Sequence, residues 1–238
     1  MRTTTYEKII TGVAARMGLD PSATILSSTR ASLTEYLNTR IAIAWEWDRW
    51  PELCRIEQRS PEISGEELSL SYEQAGQEPF GEIFGIYLDD PDKTLNPKEV
   101  GYSLRNDRIL LDPDIEASDV WVHYRLRPYQ YSATSWSAAT TYAAGDIVRA
   151  SDGHCYEAIL ASSNVQPPNG ANWKQLPVPS VLADYLKLSI ASDALREDGQ
   201  LDKANNEEYR AEGHLIRESD KIGLQVGGMG GRWSARVG

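Results

Sequence analysis

Residues 136–173 read WSAATTYAAGDIVRASDGHCYEAILASSNVQPPNGANW. Within them Trp136, Tyr142, Gly145-Asp146, Val148, Gly153, Tyr156, Ala158, Pro167-Pro168 and Trp173 make a self-contained pattern. A unit this short has no room for a large core, so Trp and Tyr must supply its buried area, and Gly-Asp suits a tight hairpin turn. The sequence on either side is built differently, with strand-like runs before it and a long helical pattern after it. The chain is therefore a composite, and its fold depends on which part is the body and which the insertion.

On the C-terminal side Pro177 and Pro179 form a stiff hinge, and Ser180 is placed to cap a helix. Val181, Leu182, Tyr185, Leu186, Leu188, Ile190, Ala191, Ala194 and Leu195 follow helical spacing. A weaker stripe of Leu201, Ala204, Tyr209, Leu215 and Ile216 carries the pattern past Gly199 and Gly213 to Gly223. One helix of about forty residues would be about 60 Å long, more than a monomer of this size covers on all sides. Its charged second half is expected to project, to break at Gly199, or to pack on neighbouring copies. Beyond it lies a glycine-rich arm, residues 227–238, ending in Arg232, Trp233 and Arg236.

On the N-terminal side two amphipathic helices are expected, from Thr5 to about Met17 and from Ser27 or Ser28 to about Arg49, separated by Gly18-Leu19-Asp20-Pro21. The second ends in Trp45, Trp47 and Trp50, and helical geometry sends Trp45 and Trp47 to different faces. Those rings suit either pinning the helix to the adjoining domain or a partner surface. Short runs at Leu53–Ile56, Leu68–Tyr72, Ile83–Leu88, Arg108–Leu111 and Asp119–Leu126, separated by Pro, Gly and Asp, read as a small antiparallel β domain.

Composition narrows the function. The 238 residues are 41% hydrophobic, which argues against disorder. Acidic residues outnumber basic ones 35 to 24, a formal charge of -11. That excludes a general drive toward nucleic-acid phosphates, although an acidic wall suits a passage through which DNA slides without sticking. The N-terminus lacks a signal-type apolar region and no uninterrupted apolar run reaches membrane-spanning length, so a soluble, cytosolically made product without membrane contact is expected. Cys54 and Cys155 lie in different segments without metal-type spacing and are expected to be buried or half-buried. No nucleophile–base constellation, phosphate loop or metal motif is legible, and His123, His154 and His214 lie in separate segments. Neither a catalytic nor a metal site, nor any cofactor, is therefore expected.

The stretch Trp136, Tyr142-Ala143-Ala144-Gly145-Asp146-Ile147-Val148, Gly153-His154-Cys155-Tyr156-Glu157-Ala158 and Pro167 to Trp173 resembles the short chitin- and cellulose-binding modules of secreted glycoside hydrolases. The resemblance implies sugar contact through Trp136, Tyr142, Tyr156 and Trp173. The exposed aromatics that usually follow the Tyr-x-Ala strand are replaced here by Ile159-Leu160-Ala161-Ser162-Ser163. Elsewhere the carrying residues are Ala44-Trp45-Glu46-Trp47-Asp48-Arg49-Trp50-Pro51-Glu52-Leu53, Ile86-Tyr87-Leu88-Asp89-Asp90-Pro91, Val120-Trp121-Val122-His123-Tyr124-Arg125, and residues 194–204. Together they resemble the head-to-tail adaptor (connector, head-completion) proteins of tailed bacteriophages.

That second resemblance implies an α+β chain: a discontinuous helical body (two N-terminal helices plus a long C-terminal helix) with an inserted small antiparallel β domain and a second small β module. The body would comprise residues 1–53 and 178–238, the β domain 54–132 and the module 133–177. It further implies a virion structural protein of the head-tail neck, assembled in the host cytoplasm as a homo-oligomeric ring, commonly of twelve copies, beneath the portal. Such a ring continues the DNA channel without sequence-specific binding and docks the next tail or neck protein. Met229, Arg232, Trp233 and Arg236 would form the portal-contact arm. The alternative is a carbohydrate-binding or adhesion protein of a phage tail or cell surface, using the Trp136 to Trp173 module to hold a glycan.

Overall fold

Gly199 decides the shape of the C-terminal half. Its φ of +75° is a backbone conformation that only glycine adopts without strain, and it ends one helix and reverses the chain into the next. Gln200 N donates to Leu195 O across this turn. In the computed structural model, which describes residues 2–20, 24–64, 67–73, 77–105, 108–112, 114–115 and 118–228, the expected single C-terminal helix is therefore two packed helices. Folding back lets the apolar stripe of the first half bury against the second, which one straight rod could not do.

The chain is mixed α+β. In chain order the elements are β1 (Thr3–Thr4), α1 (Tyr6–Arg16), α2 (Ser27–Trp47), β2 (Cys54–Arg59), β3 (Glu62–Ser64), β4 (Glu67–Ser71), β5 (Phe80–Tyr87), β6 (Tyr102–Arg105), β7 (Arg108–Leu111) and β8 (Val120–Leu126). Then come β9 (Thr141–Tyr142), β10 (Ile147–Arg149), β11 (Cys155–Ala158), β12 (Ser162–Ser163), β13 (Trp173–Leu176), β14 (Val178–Pro179), α3 (Ala183–Glu197) and α4 (Leu201–Gly228). Two compact units result, one from residues up to Asp48 together with those from Tyr129 on, the other Arg49–Pro128. The β unit thus begins before residue 54 and ends before residue 132, and the residue 133–177 module falls within the helical unit.

In the helical unit α3 is the central element, with α1, α2 and α4 all packed on it. Tyr6, Ile9, Ile10 and Val13 of α1, Leu33, Leu37, Ile41 and Trp45 of α2, and Tyr185, Leu186, Leu188 and Ile190 of α3 are buried. Each such side chain contributes about 1.5–3 kcal/mol on leaving water. Thr5 caps α1 by accepting from Lys8 N at 3.1 Å. Strand β1 pairs antiparallel with β14, joining the two ends of the helical body.

In the other unit the pairings run β2–β8–β5 and β3–β4–β7–β6. Val100 N donates to Ile86 O and Leu88 N to Lys98 O, so the segment leading into β6 pairs with β5. At the other side Ser60-Pro61 carries β2 directly into β3. The two antiparallel sheets are therefore linked at both sides, by the bridge to β5 and by the continuous chain from β2 to β3. Val120, Val122, Tyr124 and Leu126 alternate along one face of β8 and are all buried.

Candidate functional site

The module's aromatic residues were the sequence-based candidates, and the local fold accounts for each. The segment from β9 to β13 closes around Tyr142, Val148, Ala150, Tyr156, Ala158 and Trp173, all buried, with Trp136 and Val165 partly buried against them. Tyr142 and Trp173 meet edge-to-face at 5.3 Å. Their polar ends are used internally: Trp173 Nε1 donates to Val165 O at 2.8 Å, Tyr156 Oη to Asp152 Oδ2 at 2.6 Å, and Tyr142 Oη accepts from Ser137 N at 2.8 Å. Asp146 Oδ2 accepts from Ala143 N, and Gly145 N donates to Ala158 O, which is what the Gly-Asp pair does in the turn. Tyr142, Tyr156 and Trp173 therefore present no stacking face to solvent. The exposed apolar side chains of this segment are Ile159 and Leu160.

The module is tied to α1 through Glu7. Glu7 N donates to Gly153 O at 2.9 Å, and the Glu7 carboxylate accepts from both Nη atoms of Arg30 at 2.7 and 2.9 Å and from Arg149 Nη1 at 3.4 Å. A Cβ at residue 153 would stand 2.8 Å from Glu7 Cβ, so only glycine permits this approach. Cys155 lies buried beside this contact, and desolvation pushes its thiol up to about 12, which leaves it an unreactive packing residue.

A second cluster locks the helices. Arg40 on α2 donates through Nε and Nη2 to Asp193 of α3 at 2.6 and 2.5 Å, and through Nη1 and Nη2 to Glu208 of α4 at 2.8 and 2.9 Å. Its hydrogen bonds to the Asp193 carboxylate hold the guanidinium charged even though burial opposes it. Tyr36 Oη donates to Glu197 at 2.5 Å, which raises the phenol to about 12. Arg16 reaches Glu207, and Ser219 hydrogen-bonds Asp48. One half-buried Arg thus joins three helices drawn from both ends of the chain. Sequence reasoning missed it because partners more than 150 residues apart leave no local pattern.

Outside this frame α4 is unfinished. Its buried face is Ala204, Ala211 and Leu215, yet Leu201, Tyr209, Ile216 and Leu224 are exposed, Tyr209 by 78% and Leu224 by 79%. On α2 Trp45 is buried while Trp47 is exposed, as their helical spacing requires; Trp50, in the other unit, is buried.

Inside the Arg49–Pro128 unit, Arg59 is buried over the Phe80 ring at 4.7 Å and the Tyr124 ring at 5.8 Å. Its Nη2 donates to Glu57 Oε2 at 2.8 Å and to Glu78 O at 2.9 Å. His123 is buried against Phe84 at 5.0 Å. Among the described residues no group of three or more His, Cys, Asp or Glu is placed to hold a metal ion, and no helix is long and apolar enough to cross a membrane. Met229, Arg232, Trp233 and Arg236 lie outside the described residues. No protein-family model matches the chain, and no curated protein matches its sequence.

Proposed function

We propose that the chain is a virion structural protein, a head-to-tail adaptor that assembles as a ring beneath the portal, commonly of twelve copies. It continues the DNA channel and docks the next tail or neck component. The observation that carries this reading is the helical frame. Helix α2 from one end of the chain and α3 and α4 from the other are joined through Arg40, with α1 packed on α3, while α4 keeps large apolar side chains in solvent. A helical body drawn from both ends of the chain, with an exposed apolar face suited to neighbouring copies, supports the adaptor reading. The formal charge of -11 suits a wall that DNA passes without sticking. A portal-contact role for Met229, Arg232, Trp233 and Arg236 rests on the sequence of the arm. The glycan-binding alternative has less to stand on, because Tyr142, Tyr156 and Trp173 are occupied in packing.

Native mass spectrometry and negative-stain imaging of the full chain, alone and with a portal protein, test this reading. Rings formed alone or on the portal are expected, and a strict monomer that ignores the portal overturns it. Removing residues 227–238 is expected to weaken portal docking with no change in melting temperature; unchanged docking removes the arm from the proposal.

A further inference from the structure

Three places in the chain put glycine directly after an acid or its amide: Asp152-Gly153, Asn169-Gly170 and Asp198-Gly199. In such a pair the backbone nitrogen of the glycine can attack the preceding side-chain carbonyl, because no Cβ shields it. The fold closes two of the three. Gly153 N donates to Ala150 O and Gly199 N to Arg196 O, at 3.2 and 3.1 Å, and both glycines hold a left-handed backbone, with φ of +81° and +75°. At Gly170 neither restraint applies. Its nitrogen has no hydrogen-bond partner among the described residues, its φ lies outside the left-handed region, and a Cβ there would meet nothing within 4 Å. Neither backbone geometry nor space demands glycine at this position, and its nitrogen is left open to react.

Asn169 is held beside that nitrogen. It is exposed in the turn that leads into β13, and its Oδ1 accepts from Ala171 N at 3.1 Å, which folds the carboxamide back alongside Gly170 and polarises its carbonyl. Its Nδ2 has no partner among the described residues, so no hydrogen bond retains it as a leaving group. The main-chain carbonyl of Asn169 accepts from Asn172 N at 3.0 Å and Trp173 N at 2.8 Å. One residue thus joins a labile amide, a type of group that heat-adapted proteins shed, to the turn that delivers Trp173 into the module core.

We infer that Asn169 is a site of spontaneous modification, at which the folded chain converts its own asparagine to isoaspartate and aspartate. The Gly170 nitrogen gives up its proton and bonds to Asn169 Cγ; the Cγ–Nδ2 bond breaks, and ammonia leaves carrying that proton. A cyclic succinimide remains, and water opens it. Breaking the bond to Cγ yields aspartate, whereas breaking the bond to the main-chain carbonyl carbon yields isoaspartate, whose backbone runs through Cβ and Cγ. Nothing is oxidised or reduced, and water is the one co-reactant. Aspartate keeps the acceptor for Ala171 N and adds a negative charge. Isoaspartate lengthens the main chain by one carbon within the turn, which displaces the carbonyl that holds Asn172 N and Trp173 N and loosens the module.

Peptide mapping by mass spectrometry of the full chain, incubated folded at mildly alkaline pH, provides the test. Loss of ammonia and then acid is expected at residue 169 ahead of Asn38, Asn96, Asn164 and Asn172, at a rate that rises with pH because the attacking nitrogen must lose its proton. Labelling by an isoaspartyl methyltransferase with S-adenosylmethionine should appear in step. Gly170→Ala, whose methyl group shields the nitrogen and meets no neighbour, should fold as the wild type does and slow the conversion tenfold or more. Asn169→Asp should melt like the wild type, and the separated isoaspartate form at a lower temperature. A residue 169 that stays amidated in the folded chain while the urea-unfolded chain converts overturns the inference. Earlier conversion at another of these asparagines, or an unchanged rate in Gly170→Ala, does the same. An isoaspartate form that melts with the wild type overturns the loosening of the module.

Discussion

At the scale of single residues, a buried imidazole and a buried guanidinium in the Arg49–Pro128 unit make firm demands. Burial, aided by the positive charge of Arg49 and opposed by Asp92, pushes the His123 imidazole from 6.5 down to about 4. The unfolded chain takes up a proton as pH falls through 6.5, and the folded chain does so only near 4. Stability should therefore be level above pH 6.5 and decline as pH falls toward 4, by up to about 3 kcal/mol from this group. Urea unfolding across that range checks it, and His123→Gln should flatten the slope. Arg59 poses the complementary case. Glu57→Ala would leave its buried guanidinium short of a counter-charge, and a loss of about 2–3 kcal/mol is expected, below the full cost of a broken buried pair because Glu57 is itself partly in water. A midpoint in urea equal to that of the wild type would show that Glu78 O and the two aromatic rings suffice. His123 is visible in the sequence as a polar letter in a strand-like run, and Arg59 lies three residues past the end of another. Their burial is not, because the strand that covers them comes from elsewhere in the chain.

Among elements, the α3–α4 turn and the module core are the sensitive points. Gly199→Val forces a branched side chain into a left-handed backbone and is expected to cost about 1–2 kcal/mol or more, read from the melting temperature. Arg40→Met should cost about 1–3 kcal/mol, because Asp193 and Glu208, both partly in water, would be left with only the more exposed Arg196 beside Asp193. In the module, Trp173→Ala is expected to cost about 3–5 kcal/mol through cavity formation. A Trp173→Ala variant that melted like the wild type would contradict its place in the core. The helices were legible from spacing, and α1 begins within one residue of its expected start because Thr5 is a local cap. Strands β3 and β6 were not, since they are largely exposed and polar and carry no run of core-forming side chains. The break at Gly199 was one of several readings of the same letters, and packing of α3 on α4 decides among them.

For the whole molecule, net charge and assembly belong together. With a formal charge of -11, the chain is expected to bind duplex DNA no more tightly than about 1 mM at about 0.15 M salt, where the Debye length is about 8 Å. Fluorescence anisotropy with a labelled duplex measures this, and a salt-sensitive micromolar complex would argue against a low-friction conduit. By itself the sequence determined what local rules govern: the α+β class, the two N-terminal helices, the Gly-Asp turn and aromatic core of the module, and the acidic balance. Only the tertiary structure decided which aromatics are spent on packing, that Arg40 links helices from both ends of the chain, and that one side of α4 stays uncovered. The difference is physical. Spacing and capping act within a few residues, whereas burial and ion pairing depend on segments that meet only once the chain has folded.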